Sequence, residues 1–533
     1  MKPPFLSFQI LFALLLFIFM SFPTNQFFPF YSETNIPYLW ILLMFFLASE
    51  GSRRLEAWKA TGKLPPGPLQ LPLIGNLYQL AAAGSLPHHS LRNLANKYGP
   101  LMHLLLGEVP TIVASSPEIT AEILKTHDTI FAYRPTFIVP MIISYECKDI
   151  ACAPYGSYWR QLRKVCTVEL LSANRVQSFR SIRDEEVSDF IKTIYFNEGQ
   201  QVNLSEKINS LTYSITSRAT FGKKTKDQSA FIKVITDINS LVSGFCLADL
   251  YPSIKVHHLL SGLRMRCKRI HSELDRILGN ILNDHKETRA ARAGDAKEGL
   301  LDVLLRLQEN GEFPLTDSNI KAVIMDIFSA GSDTSSITVG WAMSEMMKNP
   351  AIMREAQAEV RRVFKGKGDA DESGLQELKY LKLVVKETLR LHPPAPLLLP
   401  RECSESCEIN GYKIAAKTRV IVNAWALGRD PGYWTEAEEF KPERFLNSPL
   451  DYSGRNFEYI PFGAGRRICP GILFAQPNIE LPLAKLLFQF DWKLPNGMKP
   501  EDLDMSEDFG LALRRKRDLV LVPTSYQTLP AAQ

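Results

Sequence analysis

One cysteine is marked by its neighbours. Cys469 sits in Phe-Gly-Ala-Gly-Arg-Arg-Ile-Cys-Pro-Gly, residues 462–471. A disulfide needs a second cysteine and a zinc site needs several ligands close by, and this stretch offers neither. Sulfur binds a metal as thiolate, whereas a free cysteine is mostly protonated near neutrality. Arg466 and Arg467 would favour the anion. The apolar run after Cys469, "GILFAQPNIELPLAKLLFQF", is a predicted helix whose N-terminal amides would add to that effect. Gly463, Gly465 and Gly471 permit close backbone approach and positive φ. An isolated cysteine is most often a small buried hydrophobe. A thiolate held by a backbone loop, with donors aimed at it, instead suits the axial position of a haem iron.

Two further constellations accompany it. "AGSDTSS" (330–336) lies inside the apolar run "AVIMDIFSAGSDTSSITVGWAMSEMM". Its small and polar residues predict an interrupted, bent helix, because Ser and Thr side chains can take up backbone groups. An acid beside an alcohol, Asp333 next to Thr334, can relay protons. Glu387 and Arg390 in "KETLRLHPP" are three apart and share a helix face; taken alone, such a pair is usually solvated and worth little.

The elements that must position these groups read as mainly α with a minor β portion. "RSIRDEEVSDFIKTIY" and "SGLRMRCKRIHSELDRILGNILNDHKETR" carry apolar residues at three- and four-residue spacing. Strand-like runs occur at "LMHLLLGEVPTIVAS", "YKIAAKTRVIVNAW" and "RDLVLVPTS", and "RAARAGDAKEGL" reads as an exposed loop. Pro477 and Pro482 fall inside the helix after Cys469, and Pro477 predicts a local kink there. The chain has 533 residues, 45% of them hydrophobic, enough for a large core, and its net charge of +5 is mild. No basic tract argues for nucleic acid. The eight cysteines have no framework spacing; Cys403 and Cys407 come closest to a pair. Reduced thiols in a cytosol-facing domain are expected.

The N-terminus reads as a membrane anchor over residues 1–50. "FLSFQILFALLLFIFMSF" (5–22) is uncharged and close to the roughly 20 residues that span a bilayer. A shorter apolar run occupies 36–48, so one span or a hairpin would serve. Arg53, Arg54, Lys59 and Lys63 follow, which keeps the downstream body on the cytosolic side. A cleaved signal peptide is disfavoured because no small-residue cleavage site follows neatly. Residues 51–68 read as a basic, proline-rich hinge in which Pro65, Pro66 and Pro68 predict an extended strap. Residues 69–533 form the expected catalytic domain. Asn203-Leu204-Ser205 is a glycosylation sequon that cytosolic placement leaves unused.

Phe462, Gly465, Arg467, Cys469 and Gly471 match Phe-x-x-Gly-x-Arg-x-Cys-x-Gly without a miss. On these residues the chain resembles the cytochrome P-450 family, from the proline strap to the C-terminus. The wording of the strap, of "AGSDTSS" and of "FGLALRRK" looks like the plant microsomal branch that oxidises terpenoids and some alkaloids. The resemblance implies the family's fold, haem b with Cys469 as metal ligand, and electrons from NADPH through a separate reductase. It implies that Thr334 orients the oxygen's hydrogen bonds and that Asp333 feeds protons. Arg401, Trp159 and Arg163 resemble the residues that hold the haem propionates. Glu387 and Arg390, completed by Arg444 of "FKPERF", resemble a buried trio of core assembly. Arg160, Lys164 and Arg466 are the expected basic footing for the reductase.

Partners implied are the reductase, a lipid bilayer and a small hydrophobic substrate, at the endoplasmic reticulum with the catalytic domain facing the cytosol. Segments 137–154, 323–335, 393–399 and 507–515 would line an apolar pocket. The expected reaction is monooxygenation of a terpene skeleton, a diterpene ahead of a sesquiterpene. Alternatives are an alkaloid or phenylpropanoid hydroxylase of the same family, a haem-thiolate isomerase or dehydratase, and a haem electron carrier or sensor. The intact Asp333-Thr334 pair favours oxygen activation over an isomerase or dehydratase, and the expected bent helix and large apolar pocket favour it over a carrier or sensor.

Overall fold

Residue 317 begins a helix that organises the molecule. In the computed structural model α5 (Asp317–Lys348) is buried along most of its length. Thr316 caps it: its hydroxyl accepts the Asn319 amide, and the Asn319 side chain accepts the Thr316 amide in return. Val339, Met343 and Met346 enter one apolar cluster, while Val323, Ile324 and Phe328 enter a second. The helix therefore separates two cores and belongs to both. The expected interruption at "AGSDTSS" does not occur. The helix runs unbroken through it, and Thr334 and Thr338 satisfy their hydroxyls on the carbonyls of Ala330 and Thr334, one turn back.

The structure describes residues 63–81, 86–222, 228–241, 246–253, 262–291, 298–311, 315–510 and 512–526, all within one compact unit, Trp58–Gln533. The expected anchor and the basic part of the hinge lie outside the described residues. Residues 63–70 of the strap contain no helix or strand. The Pro66 carbonyl accepts the His103 amide at 2.9 Å, which fixes the strap against β1 (Leu101–Leu106).

Helices outnumber strands, as the periodicities predict. Besides α5, those that bear on the site are α1 (Pro87–Tyr98), α2 (Ser157–Val165), α3 (Leu204–Phe221), α4 (Gln228–Leu241), α6 (Lys379–Leu391) and α7 (Ile472–Gln489). Asn203 of the sequon caps α3 by accepting the Glu206 amide, and its side-chain amide donates to Asp518. α7 continues through Pro477 and Pro482. Each removes one amide from the ladder.

The main sheet runs β1, β2 (Val109–Ala114), β4 (Arg419–Val422), β3 (Arg401–Glu402). β1 and β2 are antiparallel with Leu101 opposite Ala114, and β2 and β4 are parallel with Thr111 opposite Arg419. A C-terminal hairpin pairs β5 (Glu507–Asp508) with β6 (Arg514–Arg515). Cys403 and Cys407 stand 3.9 Å apart at sulfur, too far for a bond of about 2.05 Å.

Candidate active site

The Cys469 loop is built by backbone conformations that glycine alone tolerates easily. Gly463 and Gly465 have φ of 72° and 67°. A Cβ on Gly465 would lie 2.3 Å from the Leu124 carbonyl oxygen and 2.7 Å from Asp128 Oδ1, so this position demands glycine twice over. Gly471 differs from expectation. Its φ is −93°, and its contribution is an amide that points at Cys469 Sγ from 3.4 Å. The loop closes where the Cys469 amide donates to the Phe462 carbonyl at 3.0 Å, and α7 begins three residues after the cysteine.

Burial raises the Cys469 thiol, opposed by the Gly471 amide and by the charge of Arg163. The expected helpers, Arg466 and Arg467, are engaged elsewhere. The Arg466 amide donates to Asp128 Oδ2 at 2.9 Å, and its side chain is half exposed. Arg467 spends its guanidinium on the carbonyls of Ala132, Ile150 and Ala153 and stacks 4.2 Å from the Trp159 ring centroid. The charge that acts on the sulfur thus comes from α2, more than 300 residues away in sequence.

Four guanidinium groups gather behind the loop. Burial lowers Arg467 to about 10, and Arg401 repels it further. Burial lowers Arg134 most, with added repulsion from Arg467 and Arg401. Burial lowers Arg401 and Arg163 as well. Arg401 pairs with Asp128 at 3.2 Å and donates to the Ala464 carbonyl at 2.8 Å. Among the described residues Arg134 donates only to carbonyls, those of Ala151, Leu399 and Pro400. The guanidinium of Arg163 makes no hydrogen bond among the described residues. Asp128 pairs with Arg401 and the buried Asp149 acts on Arg134 and Arg467, which leaves fewer carboxylates than guanidinium groups, and a further anion would be stabilised here. Trp159 donates its indole N–H to the Ile150 carbonyl at 3.0 Å and supports Arg467 by stacking.

α7 returns from the loop to α5 at the second motif. A Cβ on Gly331 would lie 3.3 Å from Phe474 of α7 and 3.5 Å from Thr216 of α3. The neighbouring Ala330 is exposed although it lies mid-helix in the core, so α5 faces open space there. Thr334, one turn on, donates its hydroxyl to the Ala330 carbonyl at 2.6 Å. Asp333 turns the other way and is buried. Its carboxylate accepts from Tyr213 of α3 at 2.8 Å, from Asn239 of α4 and from Arg514 of β6, both at 2.5 Å. The acid of the pair is thus held in a network that the sequence pattern did not show.

The segments expected to line the pocket meet at α5. Asp326 accepts the amides of Ile150 and Ala151 at 2.9 and 3.0 Å, which ties 137–154 to the helix. The Leu513 amide donates to the Pro394 carbonyl at 2.9 Å, which ties the hairpin to 393–399. Glu387 and Arg390 form the expected trio with Arg444. Glu387 accepts from Arg390 at 2.7 and 2.8 Å and from Arg444 at 2.9 Å, with Glu387 and Arg390 fully buried.

These features fit a dianionic iron porphyrin: a sulfur with an amide aimed at it, crowded cations short of anions, and open space beside Ala330. The family model for cytochrome P-450 matches residues 65–522. The chain belongs to the cytochrome P-450 family. Its cofactor is haem, and it is a monooxygenase. This P-450 is 55% identical over 491 residues to desmethyl-deoxy-podophyllotoxin synthase of Sinopodophyllum hexandrum, covering 91% of this chain and 96% of the relative. It is 56% identical to tabersonine 6,7-epoxidase isoform 1 of Catharanthus roseus, over 87% of this chain and 92% of that enzyme. Premnaspirodiene oxygenase of Hyoscyamus muticus is 53% identical, over 89% and 96%. A zebra fish cytochrome P-450 solved with progesterone superposes with a TM-score of 0.72 at 25% identity, covering 83% of this chain and all of that one.

Sequence reasoning missed Arg134, Asp128 and Asp326. Arg134 carried a signal: a lone cation in the apolar, proline-bearing stretch "FAYRPTF". Asp128, which serves Arg401 and Arg466 and meets Gly465, carried none.

Proposed function

We propose that this P-450 is a membrane-anchored enzyme that inserts one oxygen atom from O2 into a hydrophobic terpenoid, a diterpene or sesquiterpene. Electrons come from NADPH through a reductase. Residues 1–50 anchor the chain in the endoplasmic reticulum, 51–68 form the hinge, and the 69–533 body faces the cytosol. The observation that carries the reading is the Cys469 loop, with its amide-directed sulfur, the buried guanidinium groups of Arg401 and Arg467, and the half-buried ones of Arg134 and Arg163.

When bound, the haem supplies oxygen binding and transfer of one oxygen atom to carbon. Cys469 would hold the iron as thiolate, favoured by the Gly471 amide and by Arg163. Arg134, Arg163, Arg401 and Arg467 would offer charge to the propionates, with Trp159 packed on Arg467. Thr334 borders the open space, and its hydroxyl, now on the Ala330 carbonyl, could turn to donate a hydrogen bond into that space. Asp333 is the proton donor in this reading; three separate groups, Tyr213, Asn239 and Arg514, donate to its carboxylate, and the last is more than a third exposed and leads to solvent. Arg160 and Lys164 are exposed on α2. Arg160 and Arg466 both lie 5.9 Å from the Tyr155 ring centroid, which supports a basic footing for the reductase beside the Cys469 loop.

The premnaspirodiene oxygenase relative supports a terpenoid substrate. The tabersonine relatives support a second reading, alkaloid oxidation by the same site. Microsomes containing the enzyme and a reductase, given NADPH and a panel of terpenes and indole alkaloids, distinguish the two. Reduced enzyme should show the carbon monoxide absorption shift of thiolate-bound haem. Its absence would remove the iron–sulfur basis of the whole assignment.

A further inference from the structure

Away from Cys469, three histidines gather around one carboxylate. His88 and His89 open α1, and both place Nε2 on the same oxygen, Oε2 of Glu507 in β5, at 2.9 and 3.0 Å. Consecutive helical residues point in different directions, yet these rings meet edge to face at 4.4 Å. Both pack on Trp425, at 4.9 and 4.3 Å between centroids. His392, just past α6, turns Nδ1 toward the other Glu507 oxygen from 3.8 Å and places Nε2 on Glu345 at 2.7 Å. Neither oxygen chemistry nor haem binding uses these groups.

We propose that His88, His89 and Glu507 form a binding site for a divalent transition-metal cation of the zinc type. Their three ligand atoms all lie within 4.8 Å of one another. Tetrahedral zinc with bonds of about 2.0–2.1 Å separates its ligand atoms by about 3.3 Å. Each Nε2–Oε2 pair therefore needs to open by only a few tenths of an ångström. Two imidazoles and a carboxylate are also the ligand types this ion prefers.

Access and charge fit as well. His88 is fully buried and Glu507 nearly so, while the His89 side chain is 37% exposed. An ion enters past His89, and water completes the tetrahedron from that side. An imidazole that binds the ion through Nε2 carries its proton on Nδ1. Nδ1 of His88 has no partner among the described residues and can accept it. Glu507 and Glu345 bring two negative charges to the cluster. The nearby Arg429 is engaged by Glu438 at 3.1 Å. The bound ion would tie α1 to the hairpin whose second strand carries Arg514, the partner of Asp333.

The test is a zinc chloride titration of chelator-treated, haem-loaded full-length enzyme by calorimetry, paired with zinc-edge X-ray absorption. One equivalent should bind, with nitrogen and oxygen ligands and no sulfur. His89→Asn, at a solvent-facing position, should leave the melting temperature unchanged and weaken zinc at least about tenfold. Glu507→Gln should weaken it similarly, its melting curve confirming that it is folded. Binding that never saturates at one equivalent, or full affinity in His89→Asn, overturns the site. Full affinity in folded Glu507→Gln leaves only a histidine pair and overturns it equally. The readout does not involve turnover, so failure here leaves the proposed oxidation untouched.

Discussion

Replacing Glu387 with alanine tests whether the buried trio assembles the core. Its carboxylate accepts two bonds from Arg390, one from Arg444 and one from the Lys441 amide, the last at 2.8 Å. Alanine leaves Arg390, a fully buried cation, with only carbonyl partners at Gly428, Ala437 and Glu439. Removing one member of a buried ion pair costs about 3–5 kcal/mol, a large share of the about 5–15 kcal/mol that holds a native protein together. Arg390 also anchors two stretches around 428 and 437–439 to α6, so the loss should loosen haem as well as the fold. The assay is retention of the carbon monoxide difference spectrum during a heat challenge, alongside a thermal melt. Glu387→Ala should lose haem early and melt several degrees low. Glu387→Gln, which keeps an acceptor without the charge, should fall between. Asp189→Ala provides the control. It breaks a 3.0 Å pair with Lys192 whose side chains are 62% and 67% exposed, so little should change. If Glu387→Ala behaves like Asp189→Ala, the assignment of the trio to core assembly is refuted.

Three other outcomes follow from the geometry. Gly465→Ala should accumulate without haem, because its Cβ would sit 2.3 Å from the Leu124 carbonyl oxygen at a positive φ; normal haem content would sink this. Burial raises Glu480 to about 7 from 4.5. The folded state thus keeps this proton at pH values where the unfolded chain releases it, so the group's contribution is present below about pH 4.5 and is lost as pH climbs to about 7. That difference is worth about 3 kcal/mol, and Glu480→Gln should raise the melting temperature at pH 8 more than at pH 5. An equal rise at both would contradict the sign. Asp326→Ala strands the buried amides of Ile150 and Ala151, at about 1–3 kcal/mol each. It should weaken substrate binding in optical titrations more than it lowers haem content, and unchanged binding would show that this tie does not shape the pocket.

The strands were legible because β1, β2 and β4 are short β-branched or leucine-rich runs whose buried faces admit few alternatives. The Cys469 loop was legible because its chemistry is local: glycines, a sulfur and an amide within ten residues. The interruption expected at "AGSDTSS" was overestimated for one reason. Local propensity is a weak prior when both sides of a helix are packed, and α5 lies in the core. The Arg466–Arg467 expectation failed because neighbours in sequence need not be neighbours of the sulfur. In a tight turn successive side chains diverge, and these two leave toward Asp128 and toward the 132–153 backbone.

By itself the sequence determined the Cys469 loop, the α-rich class and the Glu387–Arg390–Arg444 trio, since each is written in residue types at fixed spacing. Tertiary structure alone decided which charges face Cys469, where the Asp333 carboxylate goes, and that two N-terminal histidines meet a C-terminal glutamate. These are contacts between residues hundreds of positions apart. Their partners are selected by packing, and no periodicity along the chain records which surfaces packing will join.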